Sequence, residues 1–259
     1  MPCISPGDGC SIAVVNSSSF GRYCPEAQEN LTSLGAVRRL EVDPSVSGRI
    51  LAERLTGFDI VVASVTPRFP PAFFEHNADV CLIARHGVGC DNVDLDSASE
   101  HGVIVTRVAK ADERDAVAEL SVSLIMACAR KVVPACKAAR DGRWSERADF
   151  MGLELSEATV GVVGFGSIGS RVGEIMSRGF ESRVLALDPN VDDETIREHG
   201  ARPVSLRDML PQCDILSLNA ALTADNYRMI GEEELSLLKD GAIVVNTARG
   251  ELTDEKALA

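Results

Sequence analysis

The stretch Thr159–Gly169, TVGVVGFGSIG, decides the reading of this chain. Its first half is short, apolar and rich in β-branched residues, which is how a strand buried on both faces reads. Its second half is G-x-G-x-x-G, and a helical pattern, Ser167–Arg178, opens directly behind it. Each glycine has a separate task in a strand–turn–helix of this kind. Gly164 permits the tight turn, Gly166 lets a ligand approach the backbone, and Gly169 lets helix and strand pack closely. The helix start, with Ser167 and Ile168, offers N–H groups that have no intrahelical acceptor and a positive potential suited to phosphate.

The next strand, RVLALD, ends at Asp188, 19 residues beyond Gly169. A carboxylate there accepts from both ribose hydroxyls of NAD and repels the 2′-phosphate of NADP. Gly164, Gly166, Ser167, Ile168, Gly169 and Asp188 are therefore expected to hold NAD.

Further strands are expected at Ala201–Val204, Cys213–Asn219 and Ala242–Thr247. On the N-terminal side, strands are expected at Ser11–Asn16, Asp59–Ser64, Cys81–Arg85 and Val103–Arg107. Helices are expected at Pro25–Gly35, Ser47–Leu55, Phe69–His76 and Leu95–Gly102. Strand–helix alternation of this kind implies parallel sheets with crossover helices. A long helical pattern from Asp115 to Arg140, with Pro134 as a kink, joins the two alternations. The expected fold class is α/β, with two doubly wound parallel-sheet domains at 1–108 and 109–259.

The 259 residues carry 39 acidic and 26 basic side chains, a formal charge of −13. That surface repels phosphate backbones, so nucleic acid is not an expected partner. No apolar run reaches the ~20 residues a membrane span needs, and the start, MPCISPGDGC, lacks the features of a signal peptide, so no membrane is expected and the location expected is cytoplasmic. The eight cysteines include no C-x-x-C pair, and they are expected to be reduced, buried thiols with no metal.

Three blocks give the chain a resemblance to the D-isomer-specific 2-hydroxyacid dehydrogenase family, which includes phosphoglycerate dehydrogenase: Arg85–Arg107 (RHGVGCDNVDLDSASEHGVIVTR), Val160–Val172 with VLALDP, and Leu218–Leu258. The resemblance implies a flavodoxin-like substrate domain followed by a Rossmann NAD-binding domain, with the active site in the cleft between them. It implies a homodimer formed through the NAD domain, with the Arg140–Gly152 arm and Trp144 as a contact. Arg249, in NTARG, matches the family's catalytic arginine, and His86-Gly87-Val88-Gly89 matches its substrate-carboxylate loop. Asn219, Ala220, Ala221 and Thr223, with Thr247 and Ala248, match segments that line the nicotinamide side, beside Arg249.

Reduction of a 2-oxo acid needs a hydride, a proton donor titrating near neutrality, and a cation for the substrate's carboxylate and carbonyl. A guanidinium fork meets a carboxylate at two points, which favours Arg249 over a lysine. The resemblance also implies a Glu and then a His beyond the NTARG block. The chain ends at Ala259, so a fragment incomplete at its C-terminus and lacking both is expected. His76, His86, His101 and His199 match no catalytic position. The function expected is NAD-dependent interconversion of a 2-hydroxy acid and its 2-oxo acid. The alternative is a non-catalytic NAD(H)-binding regulatory protein, because the family includes NADH-sensing corepressors. The particular hydroxy acid stays open, with Arg85 and Arg107 as the cations a phosphorylated substrate would want.

Overall fold

Short, nearly continuous apolar runs pair side by side in two separate sheets of this computed structural model, which describes residues 9–259. The chain divides into two compact units, Met1–Ala109 and Lys110–Ala259. Cys3 and the expected features of the first eight residues lie outside the described residues.

In unit 1 the order along the chain is β1 (Cys10–Val15), α1 (Pro25–Leu34), β2 (Gly35–Leu40), α2 (Gly48–Arg54), β3 (Ile60–Ala63), α3 (Pro71–His76), β4 (Leu82–Arg85), α4 (Leu95–Glu100) and β5 (Ile104–Arg107). The five strands are parallel in the order β2-β1-β3-β4-β5, which is the flavodoxin-like order. One face of the sheet packs on α2 and α3 through Leu51, Leu55, Phe69, Phe73 and Phe74. The sequence reading missed β2. Its GAVRRL has no fully buried residue, because an edge strand pairs on one side only and needs no apolar run.

Unit 2 runs α5 (Lys110–Ala129), α6 (Val132–Arg140), β6 (Thr159–Val163), α7 (Ser167–Glu174), β7 (Arg183–Leu187), α8 (Asp193–Glu198), β8 (Ala201–Pro203), α9 (Leu206–Met209), β9 (Ile215–Leu218), α10 (Glu232–Leu237), β10 (Ile243–Asn246) and α11 (Glu255–Leu258). Its parallel order is β10-β9-β6-β7-β8, the arrangement of half a Rossmann fold plus the next two strands. The central strand β6 is buried throughout, and Val160, Val162 and Phe165 share a core with Ala118, Val122 and Ile125 of α5.

The long helix differs from its expected form. It is two helices, separated at Arg130–Lys131, where Lys131 takes a left-handed conformation with φ 49°. Pro134 does not kink it. The proline sits in the first turn of α6, where its missing N–H has no intrahelical partner to lose. The helix after the glycine turn is regular only to Glu174 and continues to Gly179 as a wider π turn.

The cysteines also differ from expectation. Cys213 is fully buried, and burial pushes its thiol up to about 12, but Cys24, Cys128 and Cys136 are exposed. Cys128 follows Leu120 and Leu124 at four-residue spacing, and all three are exposed on one stripe of α5. All seven described cysteines are free thiols.

Among the described residues no helix is long and apolar enough to cross a membrane. Among the same residues no cluster of His, Cys, Asp and Glu could hold a metal ion.

Candidate functional site

The order of strands in unit 2 reverses direction between β6 and β9, and a crevice opens at their C-terminal ends at such a point. Two turns meet there. Gly164, with φ 85°, leaves β6, and a Cβ on it would lie 2.4 Å from the Ala220 nitrogen. A Cβ on Gly169 would lie 1.8 Å from the Gly164 carbonyl oxygen. Both positions are therefore glycine because the protein's own backbone occupies the space. Gly166 is different: its backbone is extended and a Cβ there would meet nothing within 4 Å. The fold alone gives no reason for that glycine, whereas a ligand lying against the backbone does.

Asp188, half-buried at the end of β7, faces the same turn. Its Oδ2 accepts from the Phe165 N–H at 2.7 Å and its Oδ1 from the Asn190 N–H at 2.9 Å. Each oxygen keeps a further lone pair for a ribose hydroxyl. Ser167 is exposed, while the Ile168 side chain packs against the core. An ionic chain runs along the outside of this helix: Arg171 reaches Asp115 of α5 at 3.0 Å and Glu174 at 3.0 Å, and Arg178 reaches Glu174 at 2.7 Å. The hydrogen bond from Arg171 holds the Glu174 carboxyl below its ordinary value.

Asn219, at the end of β9, donates to the Ser217 hydroxyl at 3.0 Å. Its Oδ1 is buried and has no hydrogen-bond partner among the described residues. A buried carbonyl left so costs about 1–3 kcal/mol, which a donor on a ligand would offset. The open space at Gly166 and the orphan oxygen of Asn219 together fit NAD at this crevice. Ala221 and Thr223 belong to the following turn, which Asn226 closes by donating to the Ala221 carbonyl at 2.7 Å and accepting from the Thr223 N–H at 2.7 Å.

The Arg249 turn leaves β10 at the same edge of the sheet. Asn246 shapes it, accepting from the Ala248 N–H at 3.0 Å and donating to the Arg249 carbonyl at 2.8 Å. The Arg249 guanidinium is half-buried and rests on the Ala248 carbonyl at 2.9 Å. A cavity of about 250 Å³, lined in part by Val244, Asn246 and Thr253, lies beside it.

The comparisons with known proteins point the same way. The family described as "D-isomer specific 2-hydroxyacid dehydrogenase, NAD binding domain" matches residues 122–259. The chain belongs to the D-isomer-specific 2-hydroxyacid dehydrogenase family. Unit 2 is thus the family's NAD-binding domain. The chain is 34% identical over 223 residues to a glyoxylate reductase of Thermococcus litoralis, covering 83% of this chain and 67% of the relative. It is 32% identical over 219 residues to a D-3-phosphoglycerate dehydrogenase of Archaeoglobus fulgidus, covering 85% of this chain but 41% of that protein. A crystal structure of D-lactate dehydrogenase from Aquifex aeolicus, complexed with NAD and lactic acid, superposes with a TM-score of 0.80 at 27% identity, covering 96% of this chain and 72% of that one.

In unit 1 the loop resembling the family's substrate loop follows β4. Gly87 has φ 148°, and the Arg85 guanidinium lies 2.8 Å from where its Cβ would be. Two of the loop's N–H groups are used internally: that of His86 on the Ala63 carbonyl at 2.8 Å, and that of Gly87 on the Arg85 carbonyl at 2.9 Å. Among the described residues the Val88 and Gly89 N–H groups make no backbone hydrogen bond. His86 is exposed, with its Nδ1 2.8 Å from the Ser17 hydroxyl and its ring edge-on to Phe20. The other three histidines lie at helix C-termini, each with Nδ1 on the carbonyl four residues earlier: His76 on Ala72, His101 on Ser97, His199 on Thr195. They are structural caps.

Asn246, Asn226 and Ser17 were not singled out from the sequence. The two asparagines carried a usable signal, since an Asn next to a turn readily bonds the backbone two or three residues on. Ser17 carried none, because its partner is 69 residues away.

Proposed function

We propose that the chain serves NAD-dependent interconversion of a D-2-hydroxy acid and its 2-oxo acid. The observation that carries this is Gly166: a glycine the fold does not need, in a turn whose neighbours Gly164 and Gly169 the fold does need, facing Asp188. NAD, when bound, supplies or receives the hydride. The chain's own residues bind and orient cofactor and substrate, and the proton for the carbonyl oxygen would come from the Glu and His that the family resemblance implies after the NTARG block. The α7 N-terminus holds the pyrophosphate, Asp188 the ribose, and Asn219 and Thr247 the nicotinamide side. The Arg249 guanidinium pairs with the substrate's carboxylate and polarises its carbonyl. In unit 1 the Val88 and Gly89 N–H groups of the His86–Gly89 loop are donors suited to a carboxylate.

The experiment is stopped-flow and steady-state NADH oxidation with glyoxylate, pyruvate, hydroxypyruvate and phosphohydroxypyruvate. Turnover of at least one of them by a protein that carries the family's Glu and His after this stretch, lost in Arg249→Ala, is the expected result. NADH bound normally but oxidised by none of a broad 2-oxo acid panel would overturn the catalytic part of the proposal.

The chain is further proposed to pair with a second copy through unit 2. Trp144 is 69% exposed, Met151 83% and Val133 71%, with Leu120 and Leu124 exposed along α5. These apolar side chains are exposed, so unit 2 offers them to a partner surface. Sedimentation should give twice the 27.6 kDa monomer mass, and Trp144→Glu should return it to the monomer.

A further inference from the structure

Ser121 is a polar residue of unit 2 that packing alone does not explain. It is fully buried on α5, on the helix that carries the core residues Ala118, Val122 and Ile125, where an alanine would fill the space with no polar group to satisfy. Its hydroxyl lies 2.9 Å from the Val117 carbonyl one turn back and 2.7 Å from the Thr247 hydroxyl, 126 residues further along the chain. Thr247 begins the turn that ends in Arg249.

Counting protons fixes the direction of both bonds. A serine hydroxyl has one proton, and a backbone carbonyl can only accept. Ser121 therefore gives its proton to Val117, because otherwise two bare oxygens would face each other at 2.9 Å. The Thr247–Ser121 bond then needs its proton from Thr247. The Thr247 proton points into α5, and only lone pairs are left on the side of Thr247 away from the helix.

We infer that Ser121 is a positioning residue for the cofactor site: it holds Thr247 as a hydrogen-bond acceptor, so that the turn takes up a ligand presenting an N–H or O–H donor there. This rests on the reading above that Thr247 lies on the nicotinamide side of bound NAD. Ser121 itself touches no ligand. It acts through a chain of two hydroxyls that ends on a helix carbonyl, and such chains strengthen each acceptor by polarisation. It also ties the turn to a helix, which limits how far Thr247 and the residues after it can move.

The test is a double-mutant cycle on NADH affinity, read by nucleotide fluorescence with the full chain and independent of turnover. Ser121→Ala is expected to weaken NADH binding about 3- to 10-fold, the effect of one hydrogen bond. Thr247→Val should weaken it at least as much. In the Thr247→Val background, Ser121→Ala should have no further effect, because its route to the ligand is gone. In a Thr247→Ser background, which keeps the hydroxyl, the Ser121→Ala effect should persist. Circular dichroism melts accompany each variant, since a purely structural serine would change the melt and would weaken binding equally in every background. An unchanged affinity in Ser121→Ala, or effects of Ser121→Ala and Thr247→Val that multiply in full, would overturn the inference while leaving the cofactor reading intact. Absence of NADH binding by the wild-type chain would instead bring down the cofactor reading, and the inference with it.

Discussion

Units 1 and 2 are built alike at one end of their sheets and differ at the other. At the N-terminal end of unit 1, Asp59 stands just before β3 and its Oδ2 accepts from the Ser11 N–H at 2.7 Å. At the N-terminal end of unit 2, Asp214 stands just before β9 and its Oδ2 accepts from the Thr159 N–H at 2.8 Å. In both units the aspartate clasps the central strand to the neighbour across the point where strand order reverses. At the opposite end the likeness stops. Unit 1 fills its crevice with its own side chain: Asn16, with φ 50°, donates to the Val42 carbonyl at 3.0 Å and the Thr66 hydroxyl at 3.2 Å and accepts from the Val42 N–H at 2.9 Å. Unit 2 places glycines there, and the space over Gly166 stays open. The topology creates a crevice in both units; the side chains at its mouth decide whether a dinucleotide can enter it.

Five substitutions would break or sharpen this contrast, taken in order of expected effect on stability. Gly169→Ala drives a Cβ into the Gly164 carbonyl oxygen, so unit 2 should lose about 2–4 kcal/mol and NADH binding together. A thermal melt with and without NADH would show both losses. Asn16→Ala removes the plug of unit 1 and should cost that unit about 2 kcal/mol, with NADH affinity unchanged. Hydrogen exchange resolved by unit would show it, and any gain of NADH uptake by unit 1 would contradict the view that glycines at the mouth are required.

Asp59→Ala and Asp214→Ala should each cost about 1–1.5 kcal/mol, in their own units only. Asp214 adds a dependence on pH. Burial pushes its carboxyl up, but the Lys239 ammonium at 2.8 Å and the Thr159 N–H outweigh this and hold it below 3.8. A depressed folded value means stability that is present above pH 3.8 and lost as pH falls through the folded value. Acid titration of wild type and Asp214→Ala should therefore converge at low pH. If the two curves stay parallel through that range, the ionised clasp is not what the mutation removed.

The smallest effect on stability is the most informative. Gly166→Ala meets no atom of the protein, so the melt should move by no more than about 0.5 kcal/mol while NADH binding falls about 10-fold or more. Loss of stability without loss of binding would reverse the roles assigned to the three glycines.

Much of this was legible in the sequence because the relevant spacing is local. Strands buried on both faces announce themselves as β-branched runs, and the glycine turn with Asp188 reads directly as strand, turn, helix and acid. The family's blocks carried Arg249 and the His86 loop. What was not legible had either no local pattern or a misleading one. The edge strand β2 hides because it buries nothing. Pro134 reads as a kink because a proline inside an apolar periodicity usually is one, and only the left-handed Lys131 shows that the helix restarts just before it. Cys128 reads as core because periodicity marks a face without saying what covers it.

The sequence by itself determined two parallel α/β units and the cofactor class, since those follow from residues a few positions apart on one strand or turn. Only the tertiary structure decided which glycines the fold needs and which it leaves open, that Asn16 fills the end of unit 1's sheet, and that Ser121 meets Thr247. Each of these depends on atoms brought within about 3 Å of each other by pairing strands and packing helices that lie far apart along the chain.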